Sequence, residues 1–299
     1  MMEKIDHRPK LSLVFALVRI ALLVTLKRKT SSEMNIKKLL TAFFSAVMLA
    51  AASVSAAPYA AIVINAETGE VLHEENANTR LHPAGLTKLM TLYVLFDALE
   101  TGLIGLDDEV LVSNKAASES PVKLGLEAHS KIKVRYLLRA SAVNGANDAS
   151  TALGEGLDGS EAAFARRMNG YSKELGLSRS TWKNAHGLTE KGHLSTARDM
   201  ATLFAAHMNE YPDYFNLFSR IRTHAGIRDV ASSSRRMLGS IKGIQGAKYG
   251  YTRAAGFNGA TYVTRGNKKV VAVIFGGRST ATMIKRMHQI IDIGLANYN

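Results

Sequence analysis

The rhythm of apolar positions changes along this chain, and the changes mark its elements. Residues 59–65 form a run of Ala and β-branched residues, the turn signal Glu67-Thr68-Gly69 interrupts it, and residues 70–73 resume it, which predicts a β-hairpin. After Pro83 the spacing becomes helical: Leu86, Leu89, Met90, Tyr93 and Val94 share one face, and the pattern stops at Thr101-Gly102. The middle, from about 134 to 209, predicts helices over 136–143, 147–156, 160–175 and 196–208. Residues 257–265 and 268–276 read as antiparallel strands joined by Gly266-Asn267, and 284–298 as a closing amphipathic helix. Strands at both ends with helices between them imply an α/β (α+β) fold, its antiparallel sheet completed by the two termini and carrying an inserted helical lobe. No internal repeat or low-complexity segment interrupts this plan.

Composition narrows the class. An apolar fraction of 46% over 299 residues supports a full-sized core, and the absence of Cys excludes thiol catalysis, disulfides and Cys-based zinc sites. The net charge is +13, but residues 1–56 hold nine Lys/Arg against three Asp/Glu, which leaves +7 for the rest. That surplus suits an anionic polymer, and no basic stripe interleaved with aromatics points to nucleic acid.

From Met34 the chain reads as a secretory signal: Lys37 and Lys38, an apolar run over 39–52, then the small-residue site Val54-Ser55-Ala56. The expected plan is an upstream extension over 1–33 from an early start codon, a signal over 34–56, and one domain over 57–299 with no C-terminal β domain. The expected place is the periplasm or cell envelope, with membrane attachment only through an uncleaved signal.

A serine nucleophile with a lysine base one helical turn on has the pattern Ser-x-x-Lys, which occurs at Ser120/Lys123, Ser130/Lys133 and Ser180/Lys183. None lies at the start of a buried helix, where i and i+3 share a face. The better context is the run from His82 to Thr91, HPAGLTKLMT. It resembles the Pro-Ala-Ser-Leu-Thr-Lys-Met-Met-Thr segment of the D-alanyl-D-alanine carboxypeptidases, low-molecular-mass penicillin-binding proteins. Lys123-Leu124-Gly125-Leu126, Asn147-Asp148-Ala149-Ser150, His186-Gly187-Leu188, the run 195–200 and Gly276-Gly277-Arg278-Ser279 extend the resemblance over about 59–290.

That resemblance implies the serine β-lactamase-like fold and no cofactor or metal. It also implies Lys88 as the base for a nucleophile at 85, Asn147 of a Ser-x-Asn motif, Lys248 and Gly250 of Lys-Thr-Gly, and an oxyanion hole from the backbone N–H groups of residues 85 and 251 (Gly85 and Tyr251). The departures are Gly85 for the nucleophilic Ser, Gly145 for the Ser of Ser-x-Asn, Tyr249 for Thr, and Met283 where relatives place a carboxylate-binding Arg. Losing a Ser nucleophile costs roughly 10⁶ in kcat, about 8 kcal/mol of barrier. Thr87 is no substitute, being turned about 200° from position 85 along a helix.

Plainer roles stand beside these. Lys88 and Lys248 taken alone would be surface lysines; Asn147 would cap the helix 147–156; His186 reads as structural, and Trp182 as packing. Three functions follow: a pseudoenzyme binding peptidoglycan stem peptides or a cell-wall protein, an active carboxypeptidase using an unforeseen nucleophile, or a decaying gene copy. Gly at 85 and 145 is expected to leave extra room in the groove, and Tyr249 to put its ring there.

Overall fold

A computed structural model describes residues 58–298. The expected export signal and the extension before it lie outside the described residues. The chain builds a five-stranded antiparallel sheet from β1 (Ala60–Asn65), β2 (Val71–Glu75), β7 (Ile244–Thr252), β8 (Gly256–Arg265) and β9 (Lys268–Gly277), in the order β2-β1-β9-β8-β7. Strand β1 pairs directly with β9, Ile62 opposite Val273, so the first and last strands of the described chain do meet as the sequence pattern implies. Two small hairpins, β3 (Glu109–Leu111) with β4 (Lys131–Lys133) and β5 (Arg222–His224) with β6 (Asp229–Ala231), lie outside this sheet.

Both faces of the sheet are covered, which is why β1 and β9 read as nearly continuous apolar runs. Ala60, Ile62, Val271, Val273 and Phe275 face one core, with α1 (Thr87–Glu100), α2 (Asn147–Asp158), α3 (Glu161–Glu174) and α4 (Ala197–Glu210). Ala61, Val63, Ala272 and Ile274 face the other, under α5 (Thr280–Ala296). Helix α1 is apolar nearly all round and buries eleven of its fourteen residues, each full-sized apolar side chain contributing roughly 1.5–3 kcal/mol. Helix α5 starts at Thr280, four residues before the sequence pattern puts it, because Ser279 and Thr282 form a reciprocal capping box.

Two further departures from the expected elements bear on the site. The helix expected over 136–143 is α-helical only over Val134–Arg139; it widens into a π turn, Ala140–Asn144, and ends at Gly145 with φ +82°. Strand β7 was not legible in the apolar pattern at all. Its sequence, IQGAKYGYT, places Gly and Lys on the inward positions, and pairing with β8 is what makes it a strand.

Candidate active site

The end of β7, the first turn of α1, the π turn with the start of α2, and the loop 186–188 converge on a cavity of about 280 Å³. Gly85, Lys88, Gly145, Asn147, Tyr249 and Gly250 all line it, so the structure brings together nearly every motif position found in the sequence.

Lys88 is buried in α1, and its Nζ donates to Asn147 Oδ1 at 2.7 Å and to the His186 carbonyl at 2.6 Å. Burial lowers its ammonium to about 7, while Asp148 and Glu119 pull the other way. Asn147 is not the cap the sequence suggested. Ala146 occupies the cap position, and the Asn147 amide is engaged with Lys88 and, through Nδ2, with the Ser120 carbonyl. Its neighbour Asp148 accepts from the backbone N–H groups of Leu124, Gly125 and Leu126, which pins the loop over the cavity.

Lys248 is fully buried and donates to two carbonyls of the π turn, Ser141 at 2.6 Å and Ala142 at 2.7 Å. A π turn leaves carbonyls without the usual i→i+4 partners, and a long buried amine supplies the missing donors. Burial holds Lys248 well below the ordinary lysine range, and the Lys88 charge lowers it further.

At the positions that depart from the resemblance the geometry corrects the sequence reading. Gly85 leaves no extra room: a Cβ there would stand 2.8 Å from the Tyr249 carbonyl oxygen and 3.0 Å from the Gly250 α-carbon. Tyr249 borders the cavity but does not fill it with its ring. Lys248 points inward, so alternation turns residue 249 to the opposite face, where it packs on the second core beside Phe257, with ring centroids 6.4 Å apart. Met283 is buried under the sheet against Gly259 and Gly277, not beside the cavity, and an arginine there would be an unpaired buried charge. Tyr251 sits at the mouth, half exposed, its ring 4.4 Å from that of Phe257.

Gly145 has φ +82°, and a Cβ there would lie 3.3 Å from Ser233 Oγ. Ser233 therefore brings a hydroxyl to the cavity wall close to where a side chain at 145 would reach. Sequence reasoning missed it; the one available signal was the run Ser232-Ser233-Ser234. The three Ser-x-x-Lys serines stay outside the cavity lining, and Ser180 is taken up by Ser195 and Asp199.

Two histidines near the cavity are tied down. His193 Nδ1 accepts the Lys183 N–H, so its Nε2 carries the proton and donates to Thr87 Oγ1 at 2.8 Å; it cannot serve as a base for that hydroxyl. His186 Nδ1 accepts the Leu188 N–H, and its protonated Nε2 faces Glu119 and Glu161, each at 3.4 Å. Glu119, Glu161 and His186 form the group with metal-ligand spacing found among the described residues. They do not fit a cation, because Nε2 has no free lone pair and Lys115 already pairs with Glu161.

Comparison with known proteins bears on the family and the fold. The profile of a family described as D-alanyl-D-alanine carboxypeptidase matches residues 46–279. The D-alanyl-D-alanine carboxypeptidase DacF of Bacillus subtilis is 33% identical over 247 residues, 80% of this chain and 62% of that protein. DacC of Escherichia coli is 33% identical over 261 residues, 85% of this chain and 64% of that protein. The chain thus spans a little over three fifths of these relatives' length. Penicillin-binding protein 5 of Haemophilus influenzae superposes with a TM-score of 0.75 at 27% identity, covering 79% of this chain and 70% of that one. Penicillin-binding protein D2 of Listeria monocytogenes, in its cefotaxime-bound form, gives 0.71 at 30% identity, covering 79% and 96%.

Proposed function

This chain belongs to the D-alanyl-D-alanine carboxypeptidase family, and from that premise we propose that it is an exported, catalytically impaired member whose groove binds peptidoglycan stem peptides, or a cell-wall protein, without cleaving them. One observation carries the reading: the nucleophile position, Gly85, has neither a hydroxyl nor the space for one, since the β7 backbone rests against it. In a working member, Lys88 would take a proton from a hydroxyl at 85 as it attacks the carbonyl between two D-alanines, and the N–H groups of 85 and 251 would hold the developing oxyanion. Here Lys88 and Asn147 keep that arrangement with nothing at 85 to activate. Thr87, the nearest hydroxyl along the helix, is bound to a histidine that donates to it.

What remains suits weak recognition. Lys88, Asn147 and Ser233 offer polar contacts, and among the described residues no carboxylate lines the cavity. With no arginine among the described lining residues to hold a substrate carboxylate, affinity is expected in the millimolar to high micromolar range, about −4 to −6 kcal/mol. Processing near Ala57 would deliver the folded segment to the periplasm; no described helix is long and apolar enough to cross a membrane.

Incubation with penicillin followed by intact-protein mass measurement tests the impairment. No adduct is expected, and a penicillin-sized gain mapped to any Ser or Thr would overturn it. Titration with stem pentapeptide followed by NMR tests the binding. Shifts confined to the Lys88, Asn147 and Lys248 neighbourhood support it, whereas none at millimolar peptide rejects the stem-peptide ligand.

A further inference from the structure

We infer that Lys88 is itself a nucleophile: its amine, facing a cavity with no side chain at 85, forms a reversible imine with a short aliphatic aldehyde. The inference does not depend on whether the groove also holds stem peptides. It rests first on the tetrahedral geometry of an amine. Nζ has three positions besides its Cε bond, and two are used by Asn147 Oδ1 and the His186 carbonyl. Both partners are acceptors, so in the neutral amine both hydrogens are committed to them and the lone pair takes the third position. No described residue bonds Lys88 there, and Lys88 lines the cavity. An uncharged amine with its hydrogens tied back and its lone pair free is arranged for addition to a carbonyl carbon.

Lys248 supplies a contrast within the same fold. Its Nζ is committed to the Ser141 and Ala142 carbonyls and it does not line the cavity. Desolvation favours the neutral form of Lys88, and a lysine of this kind is the usual source of Schiff-base chemistry in proteins. The cavity, about 280 Å³ and bordered by Gly85, Gly145, Gly250 and Leu188, has room for a short aliphatic aldehyde.

The step balances without an external oxidant or reductant. The Nζ lone pair forms the C–N bond as the carbonyl π pair moves to oxygen, and that oxygen takes one Nζ proton to give a carbinolamine. Loss of hydroxide together with the second Nζ proton releases water and leaves the imine. A protonated imine keeps one N–H for Asn147 Oδ1 or the His186 carbonyl, and water reverses the reaction.

The test is reductive trapping. The full chain at pH 7.5 is treated with low-millimolar propionaldehyde and cyanoborohydride, and the propyl groups are mapped by peptide mass spectrometry over time. Lys88 is expected to label at least about tenfold faster than the mean of the surface lysines, since at this pH a lysine with the ordinary pKa is about 0.1% neutral. Its rate should rise to a plateau with a midpoint near pH 7, a profile surface lysines do not show. In Lys88→Arg the fast phase should vanish while surface labelling is unchanged. Labelling of Lys88 no faster than surface lysines in the folded wild-type chain overturns the inference, as does a fast phase that persists in Lys88→Arg.

Discussion

Gly250 lies with its α-carbon against the backbone of Gly85, so close that a Cβ on Gly250 would stand 2.2 Å from Gly85 N. On the opposite side of the same turn, a Cβ on Gly187 would stand 1.8 Å from the Ala84 carbonyl oxygen. The turn Ala84–Leu86 that begins the buried helix is thus clamped between two glycines, and Ala84 itself is held at φ +50°. The position that the resemblance assigns to the nucleophile is, in this chain, a backbone packing contact.

Placing a serine at 85 therefore strains the fold before it supplies any chemistry. Gly85→Ser should destabilise the protein by about 1–3 kcal/mol, because the atoms its Cβ meets are backbone and cannot rotate away. A melting temperature lowered by several degrees is expected, with release of D-alanine from a stem peptide still at background. Family-like turnover from this single change would show that β7 moves aside at little cost.

The other jaw of the clamp should be stricter. Gly187 combines φ +87° with a Cβ position inside the van der Waals envelope of Ala84. Gly187→Ala should cost more than about 3 kcal/mol or prevent folding. Gly69, with φ +75° and open space around it, is the control: Gly69→Ala should cost only about 1 kcal/mol. Chemical denaturation of the two variants side by side checks the difference.

Lys248 is expected to act as a structural tie. Lys248→Ala strands the Ser141 and Ala142 carbonyls and opens a cavity, a loss of about 3–5 kcal/mol. Lys248→Met keeps most of the volume and strands only the carbonyls, so its loss should be about half as large. Equal losses for the two variants, measured by urea unfolding, would contradict this division.

Stability should also rise with pH in two steps. His186, His193 and His207 are each lowered by burial to about 3, from 6.5 in the unfolded chain. Between these values the unfolded state binds up to three more protons. Stability then falls as the pH drops below 6.5, by at most about 4 kcal/mol per pH unit. Glu119, raised by burial and by Glu161, works in the opposite direction by one proton at most. Lys88, at about 7 folded and 10.5 unfolded, adds a second rise above pH 7, with Lys248 acting in the same sense. Urea midpoints that stay flat from pH 4.5 to 6.5, or that fall from pH 7 to 9, would contradict these assignments.

Much of this was legible in the sequence, for physical reasons that can be named. The strands β8 and β9 announce themselves because Gly266-Asn267 separates two buried runs, and α1 because its apolar residues follow Pro83 at helical spacing. Period-two alternation also contained the true direction of Tyr249, since an inward Lys248 forces residue 249 outward. The rest depends on partners far along the chain. Ser233 reaches the cavity only because its N–H is held by the Val143 carbonyl at 3.0 Å. The π turn becomes visible only with Lys248 seated in it. Asn147 looks like a cap until its amide is found spent on Lys88.

The seating of Lys248 on the π turn has an evolutionary corollary. A side chain that joins the helical lobe to the edge strand supports folding whether or not any substrate is turned over, so its loss would be selected against on stability alone. Surviving lysines are thus poor witnesses to surviving catalysis in this architecture. A lineage drifting away from hydrolysis would shed its hydroxyls early and this buried amine last.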